Sequence, residues 1–180
     1  SLRAQQNEWL STLFVEPNPS PYLSDWQNNP MLGRFTLTYT GSTPIAFIFA
    51  VRITSPQYGE LVSARSGQID WSAGPYTQVY TPYDVLSWND VRGLQFNNAM
   101  KERIVRSGRF PEGNFTLEIQ VKNLSGAVLN TASADFTIAY PEPPQLILPQ
   151  NEEVVVLTQP IFQWTIVNTP PTMPVTYKIK

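Results

Sequence analysis

Alternation of apolar and polar residues is the feature that most constrains the fold of this chain. In NFTLEIQVK (114–122), every second residue from Phe115 to Val121 is apolar, and the residues between them are polar. RFTLTYT (34–40) and ADFTIA (134–139) follow the same rule. Because successive side chains of a strand point to opposite faces, the pattern predicts half-buried antiparallel β-strands.

A fourth segment, IAFIFAVRI (45–53), is apolar on both of its alternating faces. This composition is typical of a central strand that is covered on both sides. From the four strands together we expect a core in the first domain. Its predicted members are Phe35, Leu37, Phe47, Phe49, Val51, Phe115, Leu117, Ile119, Phe136 and Ile138.

Turn-forming residues separate these runs at short intervals. Glycine, proline, asparagine and serine favour tight turns for different steric reasons. The turn segments are TGSTP, SPQYG, SAGP, FPEG and LSGA. Many short strands separated by such turns predict an all-β fold, an antiparallel β-sandwich of the immunoglobulin-like type.

Helix is expected to be a minor element. RAQQNEWLSTLF (3–14) has a helical pattern, and so has FNNAMKERIVRSG (96–108), where Ala99, Ile104 and Val105 would face inward. Gly108 would end the second helix, because glycine adopts the left-handed backbone conformation at helix C-termini.

The stretch YPEPPQLILPQ (140–150) contains four prolines. Proline fixes φ and lacks an amide donor, so PEPP ends the preceding strand and forms a semi-rigid linker. The predicted organisation is an N-terminal extension with a helical pattern at 1–18, a β-sandwich domain at 19–139, a proline-rich linker at 140–146, and an incomplete second β-sandwich at 147–180.

The last segment has strand-like runs but few of them. Phe162, Trp164 and Ile166 share one face of a strand, and Val175, Tyr177 and Ile179 share a face of another. About forty residues bury too little surface to be stable alone. We therefore expect the natural chain to continue past Lys180; the alternative is that a neighbouring molecule lends the missing strands.

Cysteine and histidine are both absent. Their absence excludes disulfides, thiolate nucleophiles, the usual zinc sites and an imidazole general base. The net charge is −2 and only 14% of residues are charged. Such a chain has no global basic field, so nucleic acid is not an expected partner.

No apolar run approaches the roughly twenty residues of a membrane-spanning helix. The longest candidate, PIAFIFAVRI, is interrupted at Arg52, so we expect a protein that is peripheral to membranes rather than spanning them. The first residues, SLRAQQNEW, are small and polar like the tail of a removed secretory signal. The expected location is therefore secreted or at the cell surface.

An aromatic-rich segment, DWSAGPYTQVYTPYDVLSWND (70–90), is the first candidate contact site. Tyr76 and Tyr80 fall on one strand face with Gln78 between them. Aromatic rings near amides suit sugar stacking or a protein interface; the alternative is that the same rings are core residues. The candidate contact residues are Trp71, Tyr76, Tyr80, Tyr83 and Trp88.

The second candidate is a basic segment, KERIVRSGR (101–109), in which Arg103, Arg106 and Arg109 accompany Lys101. On a helix, Arg103 and Arg106 would be neighbours. The segment could bind an acidic glycan or protein partner, or it could be an ordinary solvated face.

Catalysis would have to depend on carboxylates. Asp84, Asp90 and Glu102 are the acidic residues near the aromatic segment, and a glycoside hydrolase would need two of them across a cleft. The sequence has no acidic ladder for calcium and no glycine-rich phosphate loop. We therefore expect no enzyme activity, no metal and no cofactor, with a carboxylate-based glycoside hydrolase as the alternative.

The C-terminal segment PIFQWTIVNTPPTMPVTYKIK resembles the opening strands of a fibronectin type III or related immunoglobulin-like domain. In such domains a core Trp on an early strand is followed by prolines and a strand with a core Tyr, here Trp164 and Tyr177. The resemblance covers about the last forty residues and implies an incomplete domain of that type.

The order GRFPEGNFTLEIQVKNLSGAVLNTASADFTI and then PPQLILPQNEEVVVLTQPIFQWT is similar to large β-repeat surface proteins of gliding or type IX-secreting bacteria, including TANFOR-domain proteins. The resemblance implies export and a surface-associated scaffold. Members of that group often carry cysteines in the strand after the EG turn, and this chain has none.

The sequence thus predicts a non-catalytic, exported structural or adhesive module of a larger cell-surface protein or assembly. Two alternatives stay open: a carbohydrate-binding accessory module of an extracellular enzyme, and a subunit of a secretion or filament complex. The expected partners are proteins or neighbouring domains of the same chain, with a glycan as a further candidate.

Overall fold

The computed structural model describes residues 8–81, 84, 92–96, 104, 106–150, 154, 159, 161–167, 169 and 176. The chain divides into two compact units, residues 1–139 and residues 140–180. Within the described residues, no helix has the length and apolar character needed to cross a bilayer.

The first unit is built almost entirely from strands. They are β1 (Trp9–Val15), β2 (Gly33–Tyr39), β3 (Ile45–Ser55), β4 (Gly59–Arg65), β5 (Ile69–Trp71), β6 (Tyr76–Tyr80), β7 (Arg92–Phe96), β8 (Gly113–Asn123) and β9 (Val128–Ile138). A short helix, α1 (Leu23–Asn28), and a 3-10 turn (Pro30–Leu32) connect β1 to β2.

The strands form two antiparallel sheets. The small sheet has the order β1-β2-β6, and the large sheet has the order β7-β4-β3-β8-β9, with β5 paired to the beginning of β3. In the naming of immunoglobulin-like sandwiches, β1, β2 and β6 occupy the positions of strands A, B and E, while β3, β8 and β9 occupy those of C, F and G. The predicted all-β sandwich is confirmed.

Strand β1 also contacts β9, the edge of the large sheet. The Ser11 hydroxyl donates to the Asn130 side-chain oxygen, and Asn130 Nδ2 donates to the Trp9 carbonyl over 3.3 Å. Further along, the Thr137 amide donates to the Pro17 carbonyl over 2.8 Å. Both contacts advance in the same direction along the two segments, so β1 runs parallel to β9 and closes one side of the sandwich.

The core lies between the two sheets and consists mainly of the inward members of the alternating strands. Every core residue predicted from the sequence is buried except Leu117, which is partly buried against the same cluster. The buried cluster is Trp9, Phe35, Leu37, Tyr39, Phe47, Phe49, Val51, Trp71, Ile119, Val121 and Leu129. A second aromatic group joins Trp26 to Phe110 and Phe136.

The helix predicted at 3–14 is wrong from Trp9 onward, because Trp9–Val15 is strand β1. Its sequence fits both periods, since Trp9 and Leu13 would also share a helical face. As a strand, the segment pairs with β2 along its full length and buries Trp9 to 3% exposure. These residues therefore belong to the sandwich rather than to an extension.

The helix predicted at 96–108 is confirmed at its C-terminal end. Ile104, Arg106 and Ser107 are helical, and Ile104 is fully buried. Gly108 has a φ of 66° and its amide donates to the Ile104 carbonyl over 2.8 Å, so it ends the helix as expected. Phe96 belongs to β7 instead, while Ala99 and Val105 lie outside the described residues.

The described part of the second unit contains one antiparallel pair, β10 (Leu146–Leu148) and β11 (Gln163–Trp164). The Thr165 amide donates to the Gln145 carbonyl over 2.9 Å, and the Gln145 amide donates to Thr165 Oγ1 over 2.8 Å. Of the predicted apolar face, Phe162 and Ile166 are exposed. The predicted strand at 175–179 lies outside the described residues except for position 176.

Phe47→Ala should cost about 3–5 kcal/mol of unfolding free energy, because Phe47 is fully buried and its ring lies edge-on to those of Trp9 and Trp71. The matched control is Val79→Ala on the outer face of the small sheet, where Val79 is 47% exposed and the expected cost is under about 1 kcal/mol. Urea denaturation measures both; a Phe47→Ala cost as small as the control's contradicts the register of β3.

Candidate functional site

A close backbone approach positions the aromatic segment. The Gly74 amide donates to the Gly41 carbonyl over 2.7 Å, and a Cβ on Gly74 would lie 2.4 Å from the Tyr39 carbonyl oxygen. Only glycine fits there. The chain then enters β6, which pairs with β2 so that Tyr80 lies opposite Phe35 and Tyr76 opposite Tyr39.

Tyr80 lies at the rim of the core. Its ring centroid is 5.0 Å from that of Phe49, in an edge-on arrangement, and 6.2 Å from that of Phe35. The side chain is half-buried, and this burial raises the pKa of Tyr80 to about 12, since the phenolate would lose much of its hydration. Tyr80 therefore contributes mainly to packing.

Of the other predicted contact residues, Trp71 is buried in the core and Tyr76 is exposed. Trp71 is only 7% exposed and packs against Phe47 with a centroid distance of 5.1 Å. Tyr76 is 41% exposed, with its ring 4.7 Å from Trp71, and Gln78 beside it is exposed. Tyr76 thus presents its side chain to solvent, and its role in ligand contact stays a prediction.

Several predicted site residues lie outside the described residues, namely Tyr83, Trp88, Asp90, Lys101, Glu102 and Arg103. Asp84 is described, and its carboxylate accepts hydrogen bonds of 2.7 Å from both the amide and the hydroxyl of Thr81. These bonds close a local turn. In the described part of the chain, no group of three or more acidic residues is arranged to hold a metal ion.

Arg106 and Arg109 of the basic segment are both exposed. The chain at Arg109 forms an isolated antiparallel bridge with Tyr22, and the Phe110 amide donates to the Pro21 carbonyl over 2.8 Å. The segment is therefore attached to the loop that precedes α1. Binding of an acidic ligand to these arginines stays a prediction.

Sequence reasoning missed a depression on the outer face of the large sheet, with a volume of about 690 Å³. We call it the sheet groove. Ile48 and Ala50 of β3 form its floor, and residues of β4 and β8 form its two sides. The residues that line it are Ile48, Ala50, Val51, Arg52, Glu60, Ser63, Ala64, Arg65, Ser66, Glu118, Gln120 and Lys122.

The sheet groove corrects one prediction. The apolar residues on both faces of IAFIFAVRI indicated a strand covered on both sides, but Ile48 and Ala50 are only partly buried. Within the described residues, their outward face forms the floor of an open depression. The outward position of Glu118, Gln120 and Lys122 could be predicted from alternation, whereas their position opposite Ile48, Ala50 and Arg52 depends on register.

One end of the sheet groove carries an ion pair. Arg52 Nε lies 2.9 Å from Glu118 Oε1, and its Nη2 lies 3.0 Å from Oε2, so the guanidinium binds both carboxylate oxygens. This bonding to Glu118 raises the pKa of Arg52. Gln120 Nε2 also donates to Glu118 over 2.7 Å. Glu60 lies opposite Thr54, in the next row beyond Arg52, and also acts on Arg52, so this end carries one cation and two carboxylates.

The other end of the sheet groove carries Arg65 and Lys122. Arg65 lies opposite Ala50 on β4, and Lys122 lies opposite Ile48 on β8. Among the described residues, neither cation forms an ion pair. Asp70, in the next row beyond Ile48, accepts a hydrogen bond of 2.8 Å from Gln68. The sheet groove therefore has one end with an excess of negative charge and one positive end.

No family model and no curated protein matches this chain. Among solved structures, it is similar to the alkylpurine DNA glycosylase AlkC of Pseudomonas fluorescens bound to DNA containing an abasic site analog, with 13% identity and a TM-score of 0.39. The match covers 74% of this chain and 31% of the glycosylase, so the chain spans about a third of that protein.

Two further solved structures are similar at the same low level. One is a structure that concerns fibronectin binding and biofilm formation by AAF fimbriae of enteroaggregative Escherichia coli. It has 12% identity and a TM-score of 0.39, and the match covers 73% of this chain and 99% of that chain. The other is a β-D-glucoside glucohydrolase of Trichoderma reesei, with 14% identity, 73% and 19% coverage and a TM-score of 0.32. Similarity of this size assigns no activity.

Tyr80→Phe should remove a pH-dependent part of the unfolding free energy. The fold favours the neutral phenol of Tyr80. The contribution of this group to the unfolding free energy is therefore fully present below the ordinary tyrosine pKa of about 10, and it is lost as the pH rises toward about 12. Urea denaturation between pH 9 and 12 should show a decline for the wild type that is smaller in the variant. Equal declines in both proteins contradict the burial of this hydroxyl.

Proposed function

We propose that this chain is a non-catalytic β-sandwich module that acts through its surface, as a structural or adhesive part of a larger exported protein or assembly. The observation that carries the proposal is the sheet groove, where polar and charged side chains surround an aliphatic floor on an open sheet face. Such a surface suits recognition of a partner by contact.

The buried polar groups of the described residues support this proposal. Ser20 donates to the Asp25 carboxylate, and its carbonyl accepts from Trp26 Nε1 over 2.8 Å. Ser55 Oγ accepts from the Gln57 amide over 3.3 Å. Both buried serines are therefore used in local structure, whereas the polar side chains of the sheet groove lie on the outer face of the large sheet.

The dimensions of the large sheet also support a contact role. Strands β3, β8 and β9 each have eleven residues, about 36 Å at roughly 3.3 Å per residue. Five strands spaced by about 4.8 Å span about 19 Å, so the face offers no more than about 700 Å². One partner in a standard protein complex buries about 800 Å², so this face is close to one such interface.

The exported location in this proposal rests on the sequence. The arrangement of the strands and the proline-rich segment resembles bacterial surface proteins. A fold without disulfides is stable in either redox compartment, provided that its core is large enough.

Protease treatment of intact cells of the native source tests the proposed location. We expect an antibody against this chain to detect its antigen on untreated cells, and we expect protease to remove that antigen while a cytoplasmic marker stays intact. An antigen that is protected in intact cells and degraded only after lysis contradicts an exported module.

A carbohydrate-binding module is the second candidate, favoured by the exposed ring of Tyr76 beside the exposed amide of Gln78. If the aromatic segment binds a glycan, Tyr76→Ala should abolish signals on a glycan array while costing under about 1 kcal/mol of stability.

Tyr80→Ala is the matched comparison for Tyr76→Ala. It removes a half-buried ring that packs against Phe35 and Phe49, so it should cost about 2–3 kcal/mol in urea denaturation. Array signals that persist in folded Tyr76→Ala would refute glycan binding through this ring. A Tyr76→Ala cost equal to that of Tyr80→Ala would assign Tyr76 to the core.

A further inference from the structure

We propose that the sheet groove binds an extended acidic peptide segment of a partner protein, with its carboxylates at Arg65 and Lys122 and an apolar side chain over Ile48 and Ala50. The inference rests on the proposed contact function and names the partner's chemistry. It concerns residues that are distant in the sequence and that neither the aromatic segment nor the basic segment includes.

Strand register brings the two cations to the same face. Ala50 pairs with Arg65 on β4, and Ile48 pairs with Lys122 on β8. Paired residues point to the same side of a sheet, so both cations flank the outward side chains of β3. Their strands are two spacings apart, roughly 10 Å. A ligand across β3 therefore meets a positive charge on each side of an aliphatic strip.

The distribution of charge favours an acidic ligand at this end. Arg65 is exposed and Lys122 is partly exposed, and neither has an ion pair within the described part of the chain. At the opposite end, Arg52 is neutralised by Glu118. Acidic side chains are thus attracted to one end only, which determines where the acidic part of the bound segment lies.

Hydrogen-bonding groups lie between the charges. Gln120 uses its Nε2 to donate to Glu118, which leaves its Oε1 as an acceptor for a ligand N–H. The Ser63 hydroxyl lies on the β4 side of the same depression. The backbone of β3 is already paired with β4 and β8, so the peptide would bind through side chains rather than as an added strand.

The lining of the sheet groove favours a peptide over the other acidic polymers. Its floor is aliphatic, and the described residues that line it include no aromatic ring, so they offer no platform on which sugar rings stack. Glu60 and Glu118 also line it and would repel a continuous phosphate chain. An acidic peptide can supply apolar side chains for the floor and carboxylates for one end.

The test uses the full chain and a fluorescein-labelled ten-residue peptide in which Glu alternates with Val in one half and Gln alternates with Val in the other half. Fluorescence anisotropy should show saturable binding that weakens as salt screens the charges, and a peptide with Gln in place of Glu should not bind. Arg65→Glu and Lys122→Glu should each weaken binding by at least about threefold, and the double variant by at least about tenfold.

The matched control is Arg34→Glu, which makes the same charge change on the outer face of the small sheet, where Arg34 is exposed opposite Phe14. It should leave the affinity within about twofold. Urea midpoints confirm that each variant is folded; where a Glu variant is not, Arg65→Ala or Lys122→Ala replaces it, with a smaller loss expected.

Three outcomes overturn the inference. One is the absence of peptide binding by the folded wild type. The second is an equal loss of peptide affinity in Arg34→Glu and Arg65→Glu. The third is binding of polygalacturonate instead of the peptide, with the same sensitivity to Lys122→Glu, which would make the ligand a glycan. If the protein is found at the cell surface but does not bind the peptide, this inference is wrong and the proposed function still stands.

Discussion

The packing of Trp9 between the sheets is the contact on which the sandwich most depends. Its ring lies 4.7 Å from Tyr39 of the small sheet and 5.2 Å from Phe47 of the large one. Without cysteine, no disulfide joins the sheets, so apolar contact between them acts together with the hydrogen bonds from β1 to β9. Within the described residues, no group accepts a hydrogen bond from the buried Trp9 Nε1, and the rings of Tyr39, Phe47 and Trp71 pack around Trp9.

This core also decides which residues are left for function. Trp71 lies in this core and Tyr80 packs against it, so these two rings of the aromatic segment stabilise the fold. Tyr76 of the same segment is exposed at the surface. On the large sheet, the inward residues of β3 fill the core, and its outward residues become the floor of the sheet groove. Packing and the proposed recognition therefore use alternate residues of one strand.

Sequence alternation predicted β2, β3, β8 and β9, because the two-residue period is a local property of each strand. It failed for β1, where Trp9 and Leu13 satisfy both the helical and the strand period and only pairing with β2 decides between them. The sheet groove could not be predicted either. Arg65 and Lys122 become neighbours of β3 only through the registers of β4 and β8, which depend on the whole sandwich.

The parallel course of β1 and β9 has a mechanical consequence. Tension on the first unit would pull the chain outward from Trp9 at one end and from Ile138 at the other. The two strands would then slide past each other lengthwise, and the bonds from Asn130 to Trp9 and from Thr137 to Pro17 would share the load. Bonds strained together in shear resist force better than bonds opened in turn, so this arrangement suits a domain that transmits force along its length.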